Sequence, residues 1–353
     1  MKYFPERMKA ARKLNGYSLQ DLSDKLSISL SKQALSRLET GEVKPDSKTI
    51  SILSKVLNVG ADYFFRQHSV SLDDIKFRKL KSLPAKELDK ITAQTVDFLE
   101  RYLELEDILG VDSPLNFSLK LKKVETFGEV EKAAEELREK WKLGTDPLPN
   151  IIEMLEENGI KVFIIDADTS FSGMSTIVKN KIPVIVLNIS QSIPQTRIRF
   201  TALHELAHLY LKLDHLDEKI YEKFCDVFAG AFLLPGKKLE AFLGNKRSKI
   251  LTNELIMIAS QYGISMAAIM YRAFSLEIIS ASYHKFFMIR YNKFHIKEKE
   301  FEVYKGREKS DRFLQLIFRA VAEEVISTSK AASLNNQKLG DFREILDEKW
   351  LLQ

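Results

Sequence analysis

The stretch FTALHELAHLYL, residues 200–211, constrains the fold of this chain more than any other. His204 and His208 lie four residues apart, and on an α-helix this spacing puts both side chains on one face with β-carbons about 5–6 Å apart. Two imidazoles in this arrangement can bind one tetrahedral zinc ion. Glu205 would lie beside the metal, where its carboxylate could take a proton from a bound water. The stretch therefore predicts a helix that carries a catalytic metal site.

A catalytic zinc site needs a third protein ligand as well as an open position. A ligand that follows the second histidine closely would need glycine at position 211 so that the chain can turn. That position is Leu211, and the helix is predicted to continue through it, which makes Asp214 and His215 poor candidates. In YEKFCDVFAGAFLLP, Glu222 and Asp226 lie four apart on one face of a second predicted helix. We predict that Glu222 is the third ligand and that Asp226 accepts the other N–H of a ligand imidazole.

Short apolar strands are predicted before the histidine helix. The run from VEKAAEEL to VFIID is typical of a helix, a turn, a helix and a strand. FSGMSTIV and PVIVLN follow as two more strands rich in valine and isoleucine. Pro194 then suits the start of the histidine helix. This order predicts a buried helix that follows a small sheet.

The beginning of the chain is predicted as a group of short helices. Pro5 suits a first helical turn, Ser18 can cap a second helix, and Ser29 or Ser31 can cap a third, SKQALSRLE. Gly41 ends that third helix, and ISILSKVLNV is predicted as a fourth.

The positive charge of the chain is concentrated at this end. The first 70 residues carry 12 Lys and Arg against 7 Asp and Glu, whereas the remaining 283 carry 42 of each sign. A small basic domain on a neutral body is typical of a nucleic-acid-binding protein.

The segments GYSLQDLSDKL, SKQALSRLETG and KPDSKTISILSKVLNVGADYFF resemble the helix-turn-helix domains of XRE-type phage and bacterial repressors. The resemblance implies an all-α, lambda-repressor-like domain whose third helix enters the major groove of DNA. Lys32, Gln33, Ser36 and Arg37 would face outward near the start of that helix and are the candidate DNA-binding residues. Such domains usually bind paired half-sites, so the expected partner is a double-stranded DNA operator, bound by a homodimer.

The segments AAEELREKWKLG, FSGMS, PVIVLN, RIRFTALHELAH, EKFCDVFA and FLLP resemble the ImmA/IrrE family of zinc metallopeptidases, within the gluzincin pattern. The resemblance covers about residues 125–280. It implies an α+β domain with Zn²⁺ on the two motif histidines and Glu222, and with Glu205 as the catalytic residue. Peptidases of this family cleave transcriptional repressors, so the resemblance implies a repressor-type protein substrate in a stress or mobile-element response.

Two further segments complete the chain. Residues 75–110 contain one long amphipathic helical pattern, which we expect to pack against its own chain; pairing of two protomers is the alternative. FFMIRY, residues 286–291, is predicted as a strand, and the segment from Arg312 to Leu346 as three short helices that cap the peptidase domain.

The chain is thus predicted to be multidomain and mainly α. Its predicted parts are a helix-turn-helix domain over 1–67, a helical linker over 68–122, a metallopeptidase domain with a small sheet over 123–285, and a mainly helical C-terminal segment over 286–353. No apolar run reaches membrane-spanning length, and MKYFPERMKAARK lacks the apolar core of a signal peptide. One cysteine, Cys225, is typical of a reducing compartment, so we expect a cytoplasmic protein.

Other interpretations of the same residues stay open. The two histidines can be structural, or the site can bind zinc without catalysis. Cys225 can be a small core residue or a redox-sensitive thiol. The peptidase fold can serve as a sensor or partner-binding module of a non-catalytic DNA-binding regulator, or the chain can be an antitoxin-like protein.

Overall fold

The computed structural model describes residues 2–26, 30–66, 70, 75, 83–111, 121–213, 216–296 and 303–346. The chain divides into two compact units. The first unit comprises residues 1–113 and 312–353, and the second comprises residues 114–311. The boundaries of the four segments predicted from the sequence stay predictions.

The first unit begins with four short α-helices and one 3₁₀ turn. These are α1 (Phe4–Leu14), α2 (Leu19–Lys25), α3 (Lys32–Glu39), α4 (Ser47–Leu57) and the 3₁₀ turn Ala61–Phe65. Their apolar faces meet in one core, whose fully buried members include Phe4, Met8, Leu22, Leu35, Leu53 and Phe64.

Side-chain caps set the start of α2 and α3, as the sequence predicts. Ser18 accepts a hydrogen bond from the backbone N–H of Asp21, whose carboxylate accepts one from the N–H of Ser18, which is a complete capping box. Of the two candidate serines before α3, Ser31 is the cap, and it accepts from the N–H of Ala34. The third helix ends at Glu39, close to Gly41.

A long helix, α5 (Ala85–Leu109), packs against α1 within the same unit. The Arg7 guanidinium donates to the Glu100 carboxylate at 2.5 and 3.2 Å, and both side chains are nearly fully buried. A buried pair of this kind joins α1 to α5 firmly, because removing either partner leaves an uncompensated charge. The expected packing of this amphipathic helix against its own chain is confirmed.

The second unit contains a three-stranded sheet. After β1 (Lys122–Lys123), α6 (Phe127–Lys140) and α7 (Ile151–Glu157), the sheet consists of β2 (Lys161–Ile165), β3 (Gly173–Val178) and β4 (Ile182–Asn188). The strand order is β2-β4-β3, with β4 parallel to β2 and antiparallel to β3. All three predicted strands are confirmed.

The histidine helix is α8 (Gln195–Tyr210), which follows Pro194 and lies against β3 and β4. It ends two residues after His208, and Leu211–Lys212 form β5, a short parallel partner of β1. The prediction that the helix continues through Leu211 is therefore wrong. Backbone pairing with Lys122 and Lys123, more than 80 residues earlier, ends the helix, and local periodicity carries no signal for such a partner.

Five more helices lie among the described residues of the second unit. They are α9 (Glu218–Leu233), α10 (Gly236–Leu243), α11 (Thr252–Tyr262), α12 (Met266–Ser275) and α13 (Ala281–Lys293). The predicted strand FFMIRY is wrong, because it lies inside α13. Ser280 caps this helix through the N–H of Tyr283, and Tyr283, Phe287 and Tyr291 recur every four residues on the face that packs against the core.

The last helices return to the first unit. These are α14 (Arg312–Ala322), α15 (Thr328–Leu334) and α16 (Leu339–Leu346). They share a core with α5 that includes Tyr102, Leu105, Ile317 and Phe342. The three predicted helices are confirmed, but their predicted place as a cap on the peptidase domain is wrong. The protein is mainly α and multidomain, and no helix within the described ranges is long and apolar enough to cross a membrane.

Candidate metal centre

The candidate site lies between α8 and α9, which pack along each other more extensively than any other pair of helices that the structure describes in the second unit. His204 contacts both Glu222 and Asp226, whereas His208, one turn later on α8, contacts the earlier Glu222. This reversed order shows that the two helices run antiparallel. The sequence fixes which residues share a face of each helix, and the packing brings the two faces together.

Three potential ligand atoms meet at one point. His204 Nε2 lies 3.1 Å from His208 Nε2 and 3.1 Å from Glu222 Oε2, and His208 Nε2 lies 3.7 Å from the same oxygen. Two ligands at about 2.0–2.1 Å from a tetrahedral zinc ion are roughly 3.3 Å apart. The spacing of the three atoms therefore fits one zinc ion, and two imidazoles with one carboxylate are a donor set that zinc accepts.

Asp226 lies behind one of the candidate ligands, His204. Its Oδ1 is 2.9 Å from His204 Nδ1, on the ring nitrogen opposite the one that faces His208 and Glu222. Burial acts to lower the pKa of His204, but the hydrogen bonds with Asp226 and Glu222 and the charge of Glu205 outweigh it and raise the pKa to about 10. The carboxylates thus stabilise positive charge at this point, whether a proton on the ring or a bound cation. A cation that binds here would displace the Nε2 proton, while Nδ1–H continues to donate to Asp226.

Glu205 is a buried carboxylate beside the two histidines. Its side chain accepts a hydrogen bond of 2.7 Å from the Ser175 hydroxyl on β3. Burial raises the pKa of Glu205, while the charge of His204 and the hydrogen bond from Ser175 lower it. The group is held in one place and is easier to protonate than an exposed glutamate, as a general base that later acts as an acid requires.

A close approach of α8 to β3 makes this contact possible. Gly173 lies opposite Thr201, and a Cβ at that position would be 2.7 Å from the Thr201 methyl group. Because Gly173 has no side chain, α8 can lie close to β3 at this position, which is two residues before Ser175.

The other side of His208 faces the core. Tyr221 stacks on its ring at a centroid distance of 5.0 Å, and the buried Cys225 sulfur is 3.7 Å from Nδ1. His204, His208 and Cys225 also offer donor atoms within 4.8 Å of one another. The Cys225 sulfur, however, lies on the opposite side of the His208 ring from the Nε2 atom that faces His204. Glu222 therefore stays the candidate third ligand, because its oxygen faces both Nε2 atoms.

The structure thus brings together all five residues that the sequence selected for this site, namely His204, Glu205, His208, Glu222 and Asp226. Asp214 and His215, the poor candidates, lie outside the described residues. Ser175 and Tyr221 were missed as residues of the site. The segment FSGMS predicted the strand, but no spacing rule connects Ser175 with a glutamate 30 residues later.

The candidate DNA-binding residues all lie on α3. Lys32, Gln33 and Arg37 are exposed and Ser36 is half-buried, while Leu35 and Leu38 bury the opposite face. Arg37 lies 3.4 Å from Glu42 in an exposed ion pair, which contributes little stability and leaves the guanidinium accessible.

Comparison with known protein families gives two matches. A helix-turn-helix model matches residues 8–64, and a model of the IrrE N-terminal-like domain of peptidase family M78 matches residues 155–274. The chain joins a helix-turn-helix domain to an IrrE N-terminal-like domain. The IrrE N-terminal-like domain contains both helices of the candidate metal centre, and the helix-turn-helix domain contains α3.

One curated relative is a regulator of the helix-turn-helix type. It is the SPbeta prophage-derived uncharacterized HTH-type transcriptional regulator YonR of Bacillus subtilis (strain 168), 36% identical to this chain over 70 residues. The alignment covers 20% of this chain and 63% of that relative. It supports the helix-turn-helix assignment and does not extend over most of the chain.

Proposed function

We propose that this protein is a DNA-binding regulator whose IrrE N-terminal-like domain is a zinc-dependent endopeptidase acting on a repressor-type protein. The observation that carries the proposal is the arrangement of His204, His208 and Glu222 around one point, with the buried Glu205 beside it. Two imidazoles, a carboxylate and a neighbouring general base are the parts that zinc-assisted peptide hydrolysis requires.

Each residue of the site has a proposed role in peptide hydrolysis. His204, His208 and Glu222 would hold the zinc ion, and Asp226 would fix the ring and tautomer of His204. When bound, zinc supplies Lewis acidity, which makes water a stronger acid and a peptide carbonyl a better electrophile. Glu205 accepts the proton that the attacking water loses and returns it to the leaving amine. The Ser175 hydroxyl holds the Glu205 carboxylate in position for both transfers.

The neighbouring strand offers a place for a peptide substrate. Among the described residues, β3 pairs with β4 alone, and it carries Ser175 next to the catalytic glutamate. An extended peptide can add to such an edge through main-chain hydrogen bonds. These bonds require an extended backbone and do not discriminate between side chains. Addition there would bring a peptide bond next to Glu205.

The helix-turn-helix domain would bind an operator through α3. We propose that Gln33 and Arg37 contact base edges, that Lys32 and Ser36 contact phosphates, and that a homodimer occupies two half-sites. The regulatory setting that fits both domains is a stress or mobile-element response in which cleavage of a repressor releases silenced genes.

The first test is zinc content by mass spectrometry of tag-free protein, wild type beside His208→Ala. We expect about one zinc per chain in the wild type and its loss in the variant, because two of three ligands cannot retain the ion. Glu205→Gln should then keep zinc and lose peptide cleavage. Cleavage retained by Glu205→Gln would overturn the mechanism. Folded wild type that takes up no zinc would overturn the peptidase proposal and leave a regulator that uses the domain without catalysis.

A further inference from the structure

The outer side of α13 and the residue that follows this helix carry large apolar side chains that are open to solvent. Phe286, Ile289 and Phe294 expose 54%, 57% and 47% of their surface, respectively. The inner side of the helix is anchored, because Phe287 and Tyr291 pack against the core of the second unit. An anchored helix thus presents apolar surface to solvent, and groups of exposed apolar side chains are typical of interaction sites.

The lysine and arginine side chains of the same segment give it a positive charge. Residues 281–296 contain Lys285, Arg290 and Lys293 and no aspartate or glutamate. All three side chains are exposed, and within the part of the chain that the structure describes none of them forms an ion pair. Positions 286, 289, 290 and 293 recur at intervals of three or four, so they lie on one face of the helix. The term α13 face is used below for Lys285, Phe286, Ile289, Arg290, Lys293 and Phe294.

Arg290 lies over two of the exposed rings. Its guanidinium carbon is 5.5 Å from the centroid of the Phe286 ring and 5.3 Å from that of the Phe294 ring. Among the described residues, its N–H groups have no hydrogen-bond partner. A guanidinium that stacks on rings is partly fixed before it binds, and its planar N–H groups match a carboxylate at two points. Arg290 is therefore suited to receive a carboxylate.

The chemistry of the α13 face limits the kind of partner that fits it. Unpaired cations are matched by anionic groups, and Ile289 and the ring edges are matched by hydrocarbon surface. A phosphate backbone would match the cations but would leave Ile289 in contact with water. Arg290 also reduces the ring surface on which nucleic-acid bases could stack. A second copy of α13 would bring like charges together. A protein segment that is both acidic and apolar matches every group of the face.

We propose that the α13 face binds an acidic, apolar helical segment of a partner protein. Aspartate or glutamate side chains of that segment would pair with Arg290 and the two lysines, and its leucine, isoleucine or phenylalanine side chains would pack on Ile289 and the rings. A spacing of three or four on the partner helix would match the spacing on α13. The inference does not depend on the peptidase function, because it involves no residue of the metal centre.

The test measures the binding of fluorescently labelled peptides to the full chain by anisotropy, in the Glu205→Gln form so that no peptide is cleaved. The first peptide is a helix of about 18 residues, or five turns, with leucines spaced by three and four and glutamates beside them. A second peptide has lysine in place of each glutamate, and a third has serine in place of each leucine. We expect the first to bind at least about tenfold more tightly than either of the others, because each of those lacks one of the two complementary features.

Two substitutions remove these features from the protein one at a time. Arg290→Glu reverses a central charge, so it should weaken binding of the glutamate peptide at least about tenfold and strengthen binding of the lysine peptide. Ile289→Ser removes apolar surface and should weaken binding of the glutamate peptide as well. Arg343→Glu and Ile256→Ser are the matched controls, because they make the same changes at exposed positions outside the α13 face. Melting temperatures check that each variant keeps its fold.

Equal binding of the glutamate and lysine peptides, no binding of the glutamate peptide, or unchanged binding in Arg290→Glu would overturn the proposal. Two other results would overturn it by assigning the α13 face to a different partner. A labelled single-stranded oligonucleotide that requires Arg290, when the glutamate peptide does not, would assign the face to nucleic acid. Self-association in sedimentation that is lost in Arg290→Glu and kept in Arg343→Glu would assign it to a second copy of the chain.

Discussion

Replacing Asp226 with asparagine should weaken zinc binding about tenfold and leave both ligand histidines in place. The Asp226 carboxylate lies 2.9 Å from His204 Nδ1, where it accepts the ring N–H and so directs the Nε2 lone pair towards the metal. Asparagine keeps the size of the side chain and its oxygen, but it removes the negative charge that strengthens this hydrogen bond.

The magnitude follows from the position of the carboxylate. Loss of such a partner typically costs 10- to 100-fold in metal affinity. The Asp226 side chain is 52% exposed, so water screens its charge and the lower end of that range applies. Only His204 is affected, because the second nitrogen of His208 faces Cys225 instead. A tenfold loss corresponds to about 1.4 kcal/mol.

The assay is competition for zinc against a chromophoric chelator at constant pH and ionic strength. Glu240→Gln is the matched control, because it removes the same charge from an exposed position on α10 in the same unit. An affinity equal to that of Glu240→Gln would refute the orienting role of Asp226. A loss of more than about a thousandfold would also refute it, because an orienting partner does not account for that much.

Two further predictions concern the second unit and the DNA-binding helix. Glu308→Ala should destabilise the second unit by about 3–5 kcal/mol, because it leaves Arg199 buried without its carboxylate partner. The control Asp311→Ala removes an exposed ion pair and should cost at most about 1 kcal/mol. Equal melting temperatures of the two variants would contradict this prediction. Lys32→Ala should weaken DNA binding for all sequences and reduce the slope of log affinity against log salt by about 1, whereas Gln33→Ala should relax sequence preference with the slope unchanged. Binding titrations at several salt concentrations separate the two, and identical effects would contradict the assigned contacts.

Local patterns predicted the parts of the site that lie within single helices. The pairs of residues on one face of α8 and of α9 follow from spacing of four, and the capping serines follow from the hydrogen bonds that a helix start lacks. The choice of Glu222 also came from the sequence, although one premise was wrong, since α8 ends at Tyr210. Glu222 stays the predicted third ligand, because its carboxylate faces both imidazoles whatever the length of α8.

The features that the sequence could not supply depend on contacts between distant residues. Ser175 reaches Glu205 only because Gly173 lets α8 approach β3. FFMIRY has the β-branched and aromatic residues of a strand, yet it is helical. In a helix, Tyr283, Phe287 and Tyr291 lie on one face and pack together against the core.

Periodicities and caps within a few residues predict the helix-turn-helix pattern, the histidine motif and the carboxylates that accompany it. Contacts between distant parts of the chain establish which faces meet, where α8 ends, and that the C-terminal helices join α5 in the first unit. The physical reason is that an amphipathic face must be buried, but many partners can bury it. The choice among them depends on the shape and volume of surfaces that come together only when the whole chain folds.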